Sequence, residues 1–214
     1  EASFSLHVLA EGRIQAAADA DIAAARDIAG EHGGTEVENT IPKIIRANPF
    51  GPLNSILGPD GERWAPVHGL LAHDEAPKFY AALEELFATH ADAMREHSIH
   101  CGILIAAVGG SGTVVEPCLY WPDASNPLID DTIEAGHFAK LPKLEANSAA
   151  WETVQQLKQK IVDLLHDHGS AHFQIGRTYR YRDSLDPAAD KLLQAIKVQV
   201  DPRGLMNPGS LGLD

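Results

Sequence analysis

The sequence has little cysteine and no long apolar run. Its two cysteines, Cys101 and Cys118, stand in apolar segments without CxxC spacing, so both are expected in the core of a protein kept in a reduced, cytoplasmic setting. No stretch approaches the roughly 18 apolar residues that span a bilayer. The N-terminus shows no signal peptide, and it lacks an initiator Met, as a fragment or a processed chain would.

Positive charge and catalytic signatures are also scarce. The 17 Lys and Arg residues face 30 Asp and Glu residues, for a net charge of −13, which argues against nucleic acid because phosphate binding needs clustered basic side chains. The chain has no Walker-type phosphate loop, no strand-bound GxGxxG, no HExxH and no GxSxG. Neither His97 with His100 nor His166 with His168 has an obvious third ligand, so we expect no metal.

The spacing of the apolar residues predicts the secondary structure. It predicts, in chain order, a strand over 3–10, a helix over 13–32, a short strand near 35–39, a strand over 63–70 that Pro66 interrupts or places at an edge, a helix over 76–97, a hairpin of strands 101–108 and 113–121, and helices over 148–168 and 187–199. This order predicts an α+β fold, an antiparallel sheet with helices on one face, similar to the ferredoxin-like arrangement. Residues 122–145 are expected to form an irregular acidic linker, so the predicted domains are 1–145 and a helical segment over 146–214.

The closing run 201–209 (DPRGLMNPG) is the most specific motif. Its prolines restrict φ and its glycines permit unusual backbone angles, so the tail is pre-shaped. Asn207 presents an amide that is both donor and acceptor, although spacing alone favours the interpretation that it only stabilises its own turn. An amphipathic helix that runs into DPxGxxNPG resembles the C-terminus of FAD-linked oxidases of the vanillyl-alcohol oxidase, glycolate oxidase and D-lactate dehydrogenase type. In that family the Asn lies near the isoalloxazine.

The resemblance extends over most of the chain. Residues 1–120 are similar to the cap domain that roofs the reactive face of the flavin in this family. Within it, 63–69 and 116–122 resemble the two strands that line the substrate pocket. The resemblance therefore implies substrate-binding roles for Trp64, His68, Glu116 and Tyr120. The alternative is that these side chains are ordinary sheet aromatics, a solvated glutamate and a structural histidine.

The segment 172–182 carries the remaining candidates. Relatives that oxidise 2-hydroxy acids have Glu-His-Gly-Ile-Gly here, and only Ile175-Gly176 matches, so their metal-assisted substrate binding is not carried over. Phenol-oxidising relatives have a Tyr-Arg pair, which either Tyr179-Arg180 or Tyr181-Arg182 resembles. The resemblance implies that His172, Tyr179 and Arg180 are catalytic, that Arg182 binds substrate, and that Gly176 joins Asn207 at the cofactor.

These residue types suit the chemistry. A His near neutrality takes the hydroxyl proton, and an Arg binds a carboxylate or stabilises negative charge on a phenolate or reduced flavin. The alternative is that Arg177, Arg180 and Arg182 form a basic surface patch.

The expected protein is the substrate-binding part of an FAD-dependent oxidoreductase acting on CH–OH groups. Its substrate would be a D-lactate-like or glycolate-like 2-hydroxy acid or an aromatic alcohol, with hydride transfer to flavin N5. Nothing in the 214 residues resembles the family's Gly-rich FAD domain. The expected partners are therefore that missing domain or a flavin subunit, and a homodimer is a further option. Alone, the chain should be inactive, and its electron acceptor could hold it at the periphery of the inner membrane.

The competing interpretation is a non-catalytic ferredoxin-like ligand-binding or regulatory module, or an assembly subunit, because fold does not determine function.

Overall fold

The computed structural model describes residues 4–213. The chain divides into two compact units, Glu1–Pro52 and Leu53–Asp214. The α+β class is confirmed, since an open antiparallel sheet of four strands accompanies the helices of the described residues. None of the helices formed by these residues combines the length and apolarity that crossing a membrane requires.

The first unit contains helices α1 (Gln15–Glu31) and α2 (Ile41–Ala47). Helix α1 confirms the predicted Ala-rich helix and ends before Gly33. The two predicted strands of this unit are wrong, because residues 4–10 and 35–39 are irregular; residue 3 lies outside the described residues. A strand is stable only beside a partner, and within the described part of the chain nothing pairs with either segment.

The second unit contains the sheet and the other helices. Their bounds are β1 (Arg63–Pro66), β2 (Gly69–Ala72), α3 (Ala76–Thr89), α4 (Ala91–Glu96), β3 (His100–Val108), β4 (Gly112–Trp121), α5 (Pro127–Thr132), α6 (Ala135–Phe138), α7 (Ser148–Asp167) and α8 (Pro187–Val200). The predicted hairpin is confirmed as β3 and β4, and the last two predicted helices are confirmed as α7 and α8. The expected irregular linker contains α5 and α6, and Asn126 caps α5 by accepting a hydrogen bond from the backbone N–H of Ile129.

The helix predicted over 76–97 is divided at His90. The ring Nδ1 of this residue lies 2.8 Å from the carbonyl oxygen of Leu86, four residues earlier. The backbone of His90 is no longer helical, since its φ is −107° and its ψ is 10°. A side chain that bonds the last carbonyls of a helix can end it, and this is where α3 gives way to α4.

Strand β4 lies at the centre of the sheet. Strand β3 pairs along one of its edges, and β1 and β2 pair end to end along the other. The register does not shift between β1 and β2, since Pro66 pairs with Cys118 and Gly69 pairs with Val115. The predicted strand over 63–70 therefore lies in one continuous edge. The hydrogen-bond ladder of this edge is interrupted at residues 67 and 68, which separates β1 from β2.

Pro117 of β4 explains the interruption. The backbone N–H of Val67 donates to the carbonyl oxygen of Pro117 at 2.9 Å. The return bond cannot form, because proline has no N–H. Pro66, which suggested an edge or an interruption in the sequence, belongs to a pair that exchanges no ladder bonds, so it is tolerated there.

The core lies between one face of the sheet and helices α3 and α7. Its fully buried members include the following side chains from β4, α3 and α7: Val115, Leu119, Phe79, Leu83, Val154, Leu157, Ile161 and Leu165. The predicted boundary near residue 145 falls inside the second unit, because α7 shares this core with the sheet. Burial of each Leu, Ile, Val or Phe contributes roughly 1.5–3 kcal/mol.

Candidate functional site

Three of the predicted site residues come together in one cluster. His68 lies between β1 and β2 and points to the face of the sheet opposite the helical core. His172 and Tyr179 reach it from the segment after α7. This segment is held to the sheet edge by two backbone hydrogen bonds between Leu70 and Ala171, of 2.8 and 2.9 Å. We call His68, Phe173, His172 and Tyr179 the ring cluster.

His68 is buried, and both of its ring nitrogens have partners. Its Nε2 faces the backbone N–H groups of Phe173 and Gln174 at 3.3 and 3.4 Å, so Nε2 acts as an acceptor. The ring proton is then on Nδ1, which lies 2.8 Å from Tyr179 Oη. The backbone N–H of His68 also donates to this hydroxyl oxygen at 2.8 Å. His68 therefore orients Tyr179 and the 172–179 segment, and its imidazole is not free to contact a ligand.

His172 has a different arrangement. Its Nδ1 donates to the backbone carbonyl of His68 at 2.8 Å, which leaves Nε2 as the unprotonated nitrogen. The Ser170 hydroxyl lies 3.3 Å from that Nε2. The His172 ring stacks on Tyr179 with centroids 4.0 Å apart. An imidazole oriented through one nitrogen, with a lone pair on the other, has the form of a general base.

Burial controls the protonation of the ring cluster. It lowers the pKa of His68 and of His172, and in His68 the nearby charge of His172 lowers the pKa further. Burial also raises the pKa of Tyr179, and the carboxylate of Glu116 contributes to this rise. Desolvation disfavours the charged form of each group, so both imidazoles and the phenol are neutral near pH 7.

Trp64, Glu116 and Tyr120 share the face of the sheet opposite the helical core. The register pairs Trp64 with Tyr120 and continues to place His68 opposite Glu116. His100 of β3 stacks on Tyr120 from the other side, with centroids 5.1 Å apart and planes 8° from parallel. The structure thus brings these three predicted residues onto the face of the sheet on which His68 lies.

This face carries unusual polar groups among its apolar ones. The indole Nε1 of Trp64 is buried, and the thiol of Cys118 is its polar neighbour. Burial raises the pKa of the Tyr120 hydroxyl and of the Cys118 thiol, and it raises that of Cys101 on the opposite face to about 12. Burial thus favours the protonated thiol of both cysteines, and neither forms a disulfide within the described residues.

The tail is held by a carboxylate. Asp201 Oδ1 accepts a hydrogen bond from the N–H of Leu205, and its Oδ2 accepts from the N–H of Met206 and from Lys197 Nζ. The Lys197 ammonium also donates to the carbonyl oxygen of Met206 at 2.6 Å. The ammonium of Lys197 and the two backbone donors lower the pKa of Asp201 to about 2. The Asp of the DPxGxxNPG run therefore shapes the turn that follows it.

The tail also folds back onto the 176–182 segment. The N–H of Leu211 donates to the carbonyl oxygen of Gly176 at 2.6 Å. Arg177 donates to the carbonyl of Pro208, and Arg182 donates to that of Gly212, at 2.6 and 3.0 Å. The 176–182 segment and the tail therefore form one substructure.

Asn207 and Gly176 lie at this junction. Asn207 is exposed and adopts left-handed backbone angles with φ of 47°, and its carbonyl accepts a hydrogen bond from Ser210. Gly176 meets the tail through its carbonyl oxygen. Within the described residues, the side-chain amide of Asn207 thus extends from the turn and does not hydrogen-bond within it.

Arg180 and Arg182 are both paired with carboxylates. Arg180 contacts Asp183 and Asp163 at 2.7 and 3.3 Å, away from the ring cluster. Arg182 makes a two-pronged contact with Asp190, with distances of 2.7 and 3.0 Å. Tyr179 bonds to His68 in the ring cluster, whereas its neighbour Arg180 bonds to Asp183 and Asp163.

A polar pocket of about 380 Å³ lies beside these arginines. It is bounded by the 179–183 segment, by Asp190 of α8 and by the tail at Leu211 and Gly212. The described residues contain no group of three or more metal-ligating side chains that could hold an ion.

Sequence reasoning did not identify four residues that shape the site. Ser170 and Phe173 contact the imidazoles, His100 stacks on Tyr120, and Lys197 holds Asp201. The i to i+4 spacing of Lys197 and Asp201 was a usable signal. The contact of Phe173 with His68 crosses 105 residues of chain and had no local signal.

No protein-family model matches the chain, and no curated protein or solved structure matches it either. A functional assignment therefore depends on the residues and geometry of the chain itself.

Proposed function

We propose that this chain is the substrate-binding and C-terminal part of an FAD-dependent oxidoreductase that oxidises a 2-hydroxy acid or an aromatic alcohol. The supporting observation is the docking of the tail onto the 176–182 segment through the Leu211–Gly176 hydrogen bond. These two stretches carry the most specific motifs of the resemblance to FAD-linked oxidases.

The residues at the junction suit a flavin edge. Asn207 presents an amide, which is both donor and acceptor, from a rigid turn. Gly176 permits close approach of a planar ring to the backbone. FAD, when bound, supplies the acceptor for the hydride of the substrate carbon. The flavin domain itself would come from a segment or subunit outside these 214 residues.

His172 would take the substrate hydroxyl proton. Its Nε2 lone pair is contacted by the Ser170 hydroxyl at 3.3 Å, a contact that a substrate hydroxyl could replace. Burial lowers the pKa of His172, so the base is unprotonated and ready near pH 7. Nε2 of His172 would hold the hydroxyl proton, and with FAD bound as hydride acceptor the product would be a 2-oxo acid or an aldehyde.

Tyr179 would act through His172 rather than on the substrate. Its ring stacks on the imidazole, and its hydroxyl is held by His68. Trp64 and Tyr120 would provide an apolar wall on the sheet face. Arg180 or Arg182 would bind a substrate carboxylate, which would displace the Asp183 or Asp190 carboxylate that the arginine now contacts.

The second candidate is a non-catalytic ligand-binding module or assembly subunit. It is favoured by the complete pairing of His68, Arg180 and Arg182, since groups satisfied by their own chain stabilise a fold without a ligand. This alternative has no use for the exposed amide of Asn207 or for the unprotonated Nε2 of His172.

The test uses the holoenzyme, the chain together with the polypeptide that supplies its flavin. D-lactate, glycolate and a phenolic benzyl alcohol are each mixed anaerobically with it, and bleaching of the flavin absorbance is followed. We expect one of them to reduce the flavin, and His172→Ala to slow this by about 100-fold or more. His168→Ala, which removes a half-buried imidazole at the end of α7, is the matched control and should reduce at the normal rate.

Normal flavin reduction by the His172→Ala holoenzyme would exclude the assigned base. If the purified assembly contains no flavin, the oxidoreductase assignment fails and the second candidate is supported.

A further inference from the structure

Strand β3 leaves one side of its backbone unpaired. Since Pro117 bonds toward Val67, the even-numbered residues of β4 bond toward β3, and their partners in β3 are also even-numbered. The N–H and C=O groups of the odd-numbered residues therefore point away from the sheet. These residues are Cys101, Ile103, Ile105 and Ala107. Nothing in the described residues bonds to their outward groups.

The side chains of this edge are apolar. Leu104, Ile105 and Val108 are 51%, 49% and 44% exposed. The strand has no charge, no proline and no bulge between Cys101 and Val108, which are the devices that usually protect an edge strand from pairing. An unprotected edge of nine residues is a template for pairing with an extended partner.

The strand sequence is close to a palindrome about Leu104. In HCGILIAAV, Ile103 and Ile105 flank the centre, and Gly102 and Ala106 are the next small pair. If a second copy pairs antiparallel with its Leu104 opposite the first, the outward groups match completely: position 101 faces 107, and 103 faces 105. Large side chains then meet large ones, and small meet small.

We propose that β3 is the interface of a two-fold dimer of this chain, with the two Leu104 residues facing each other on the axis. Antiparallel pairing of identical edges gives a closed, isologous interface and one sheet continuous through both copies. Charge does not oppose pairing at this edge. Each copy carries a net charge of −13, whereas Cys101–Val108 brings no charge to the contact.

The experiment measures the mass of the full chain by sedimentation. The wild-type chain should have twice the mass of one chain, and Leu104→Lys should be monomeric because two ammonium groups would meet at the axis. Leu104→Glu should be monomeric for the same reason. An equimolar mixture of the two variants should recover the dimer, since Lys then faces Glu. Leu128→Glu, a change at an exposed leucine of α5, is the matched control and should stay dimeric.

Leu104→Glu places its carboxylate beside Glu116 in the same sheet, so its circular dichroism is compared with that of Leu104→Lys. If Leu104→Glu fails to fold, the mixing experiment is replaced by hydrogen exchange at the amides of residues 101, 103, 105 and 107. Slow exchange of these amides in the wild type, and fast exchange in Leu104→Lys, supports the dimer. A monomeric wild type overturns the proposal, and slow exchange of these amides in that monomer would show that another extended segment covers β3. A dimer that survives Leu104→Lys also overturns it.

Discussion

The hydroxyl oxygen of Tyr179 lies 2.8 Å from two nitrogens of His68, the backbone nitrogen and Nδ1. The Tyr179 hydroxyl thus accepts a hydrogen bond from the backbone N–H at the interruption of the edge strand, and it orients the buried imidazole. The Tyr179 ring also stacks on His172, so a single residue connects the sheet, the segment after α7 and the proposed base.

Removal of this hydroxyl should destabilise the protein. Tyr179→Phe leaves the buried N–H and Nδ1 of His68 without a partner, which costs about 1–3 kcal/mol of unfolding free energy. Urea unfolding of the variant and the wild type measures this difference. Tyr181→Phe, at the half-buried neighbouring tyrosine, is the control and should change stability by less than about 0.5 kcal/mol. Equal losses in the two variants would contradict the role assigned to the Tyr179 hydroxyl.

Stability should fall as the pH is lowered below 6.5. Burial lowers the pKa of His68 from its usual 6.5, so between the folded pKa and 6.5 the unfolded chain binds more protons than the folded one. The contribution of a neutral His68 is fully present above pH 6.5 and is lost as the pH falls through the folded value. Protonated Nε2 would also face the N–H groups of Phe173 and Gln174.

This dependence is measured by urea unfolding across a pH series. His68→Gln, which has no titrating group, should show a weaker decline on acidification than the wild type. An unchanged slope would mean that another group causes the acid sensitivity.

The carboxylate of Asp201 should control the order of the tail. Asp201→Asn removes the charge that Lys197 and the N–H groups of Leu205 and Met206 share. Hydrogen exchange at Leu205 and Met206 should become faster, while exchange in the β3–β4 hairpin stays unchanged. Asp131→Asn, an exposed carboxylate of α5, is the matched control. Unaltered exchange at both amides would exclude this role.

The same carboxylate predicts a second pH effect. Its folded pKa of about 2 lies below the usual 3.8, so its contribution is present above pH 3.8 and is lost as the pH falls toward 2. Tail amide exchange should accelerate within that window in the wild type. In Asp201→Asn it should be fast throughout.

Substitutions of Asn207 should distinguish a role of its backbone conformation from a role of its side-chain amide. Its φ of 47° suits Gly and disfavours Ala by about 1–2 kcal/mol. Asn207→Gly should therefore keep the Ser210 amide protected, whereas Asn207→Ala should expose it. If the side-chain amide contacts the flavin, both variants should lose flavin affinity in the holoenzyme. Normal affinity in Asn207→Gly would mean that Asn207 serves only its turn.

Several elements were predictable because their signals are local. The β3–β4 hairpin and helices α1, α7 and α8 follow from apolar spacing and from nearby stop and start residues. The strands predicted over 3–10 and 35–39 are wrong because alternation records only a capacity to pair, and no partner meets them in the described residues.

The candidate site divides in the same way. The local signals of DPxGxxNPG and of the 172–182 segment singled out Asn207, His172 and Tyr179. That His172 and Tyr179 meet His68 is a long-range contact without a local pattern.

The sequence by itself determined the α+β class and the shape of the tail, since these depend on periodicity, proline and the reach of Asp201 to donors a few residues away. Only the tertiary structure decided which side chains share a site. Tyr179 bonds to the buried His68, whereas Arg180 bonds to Asp163 and Asp183. Such choices depend on contacts between residues distant in the chain, which local spacing does not encode.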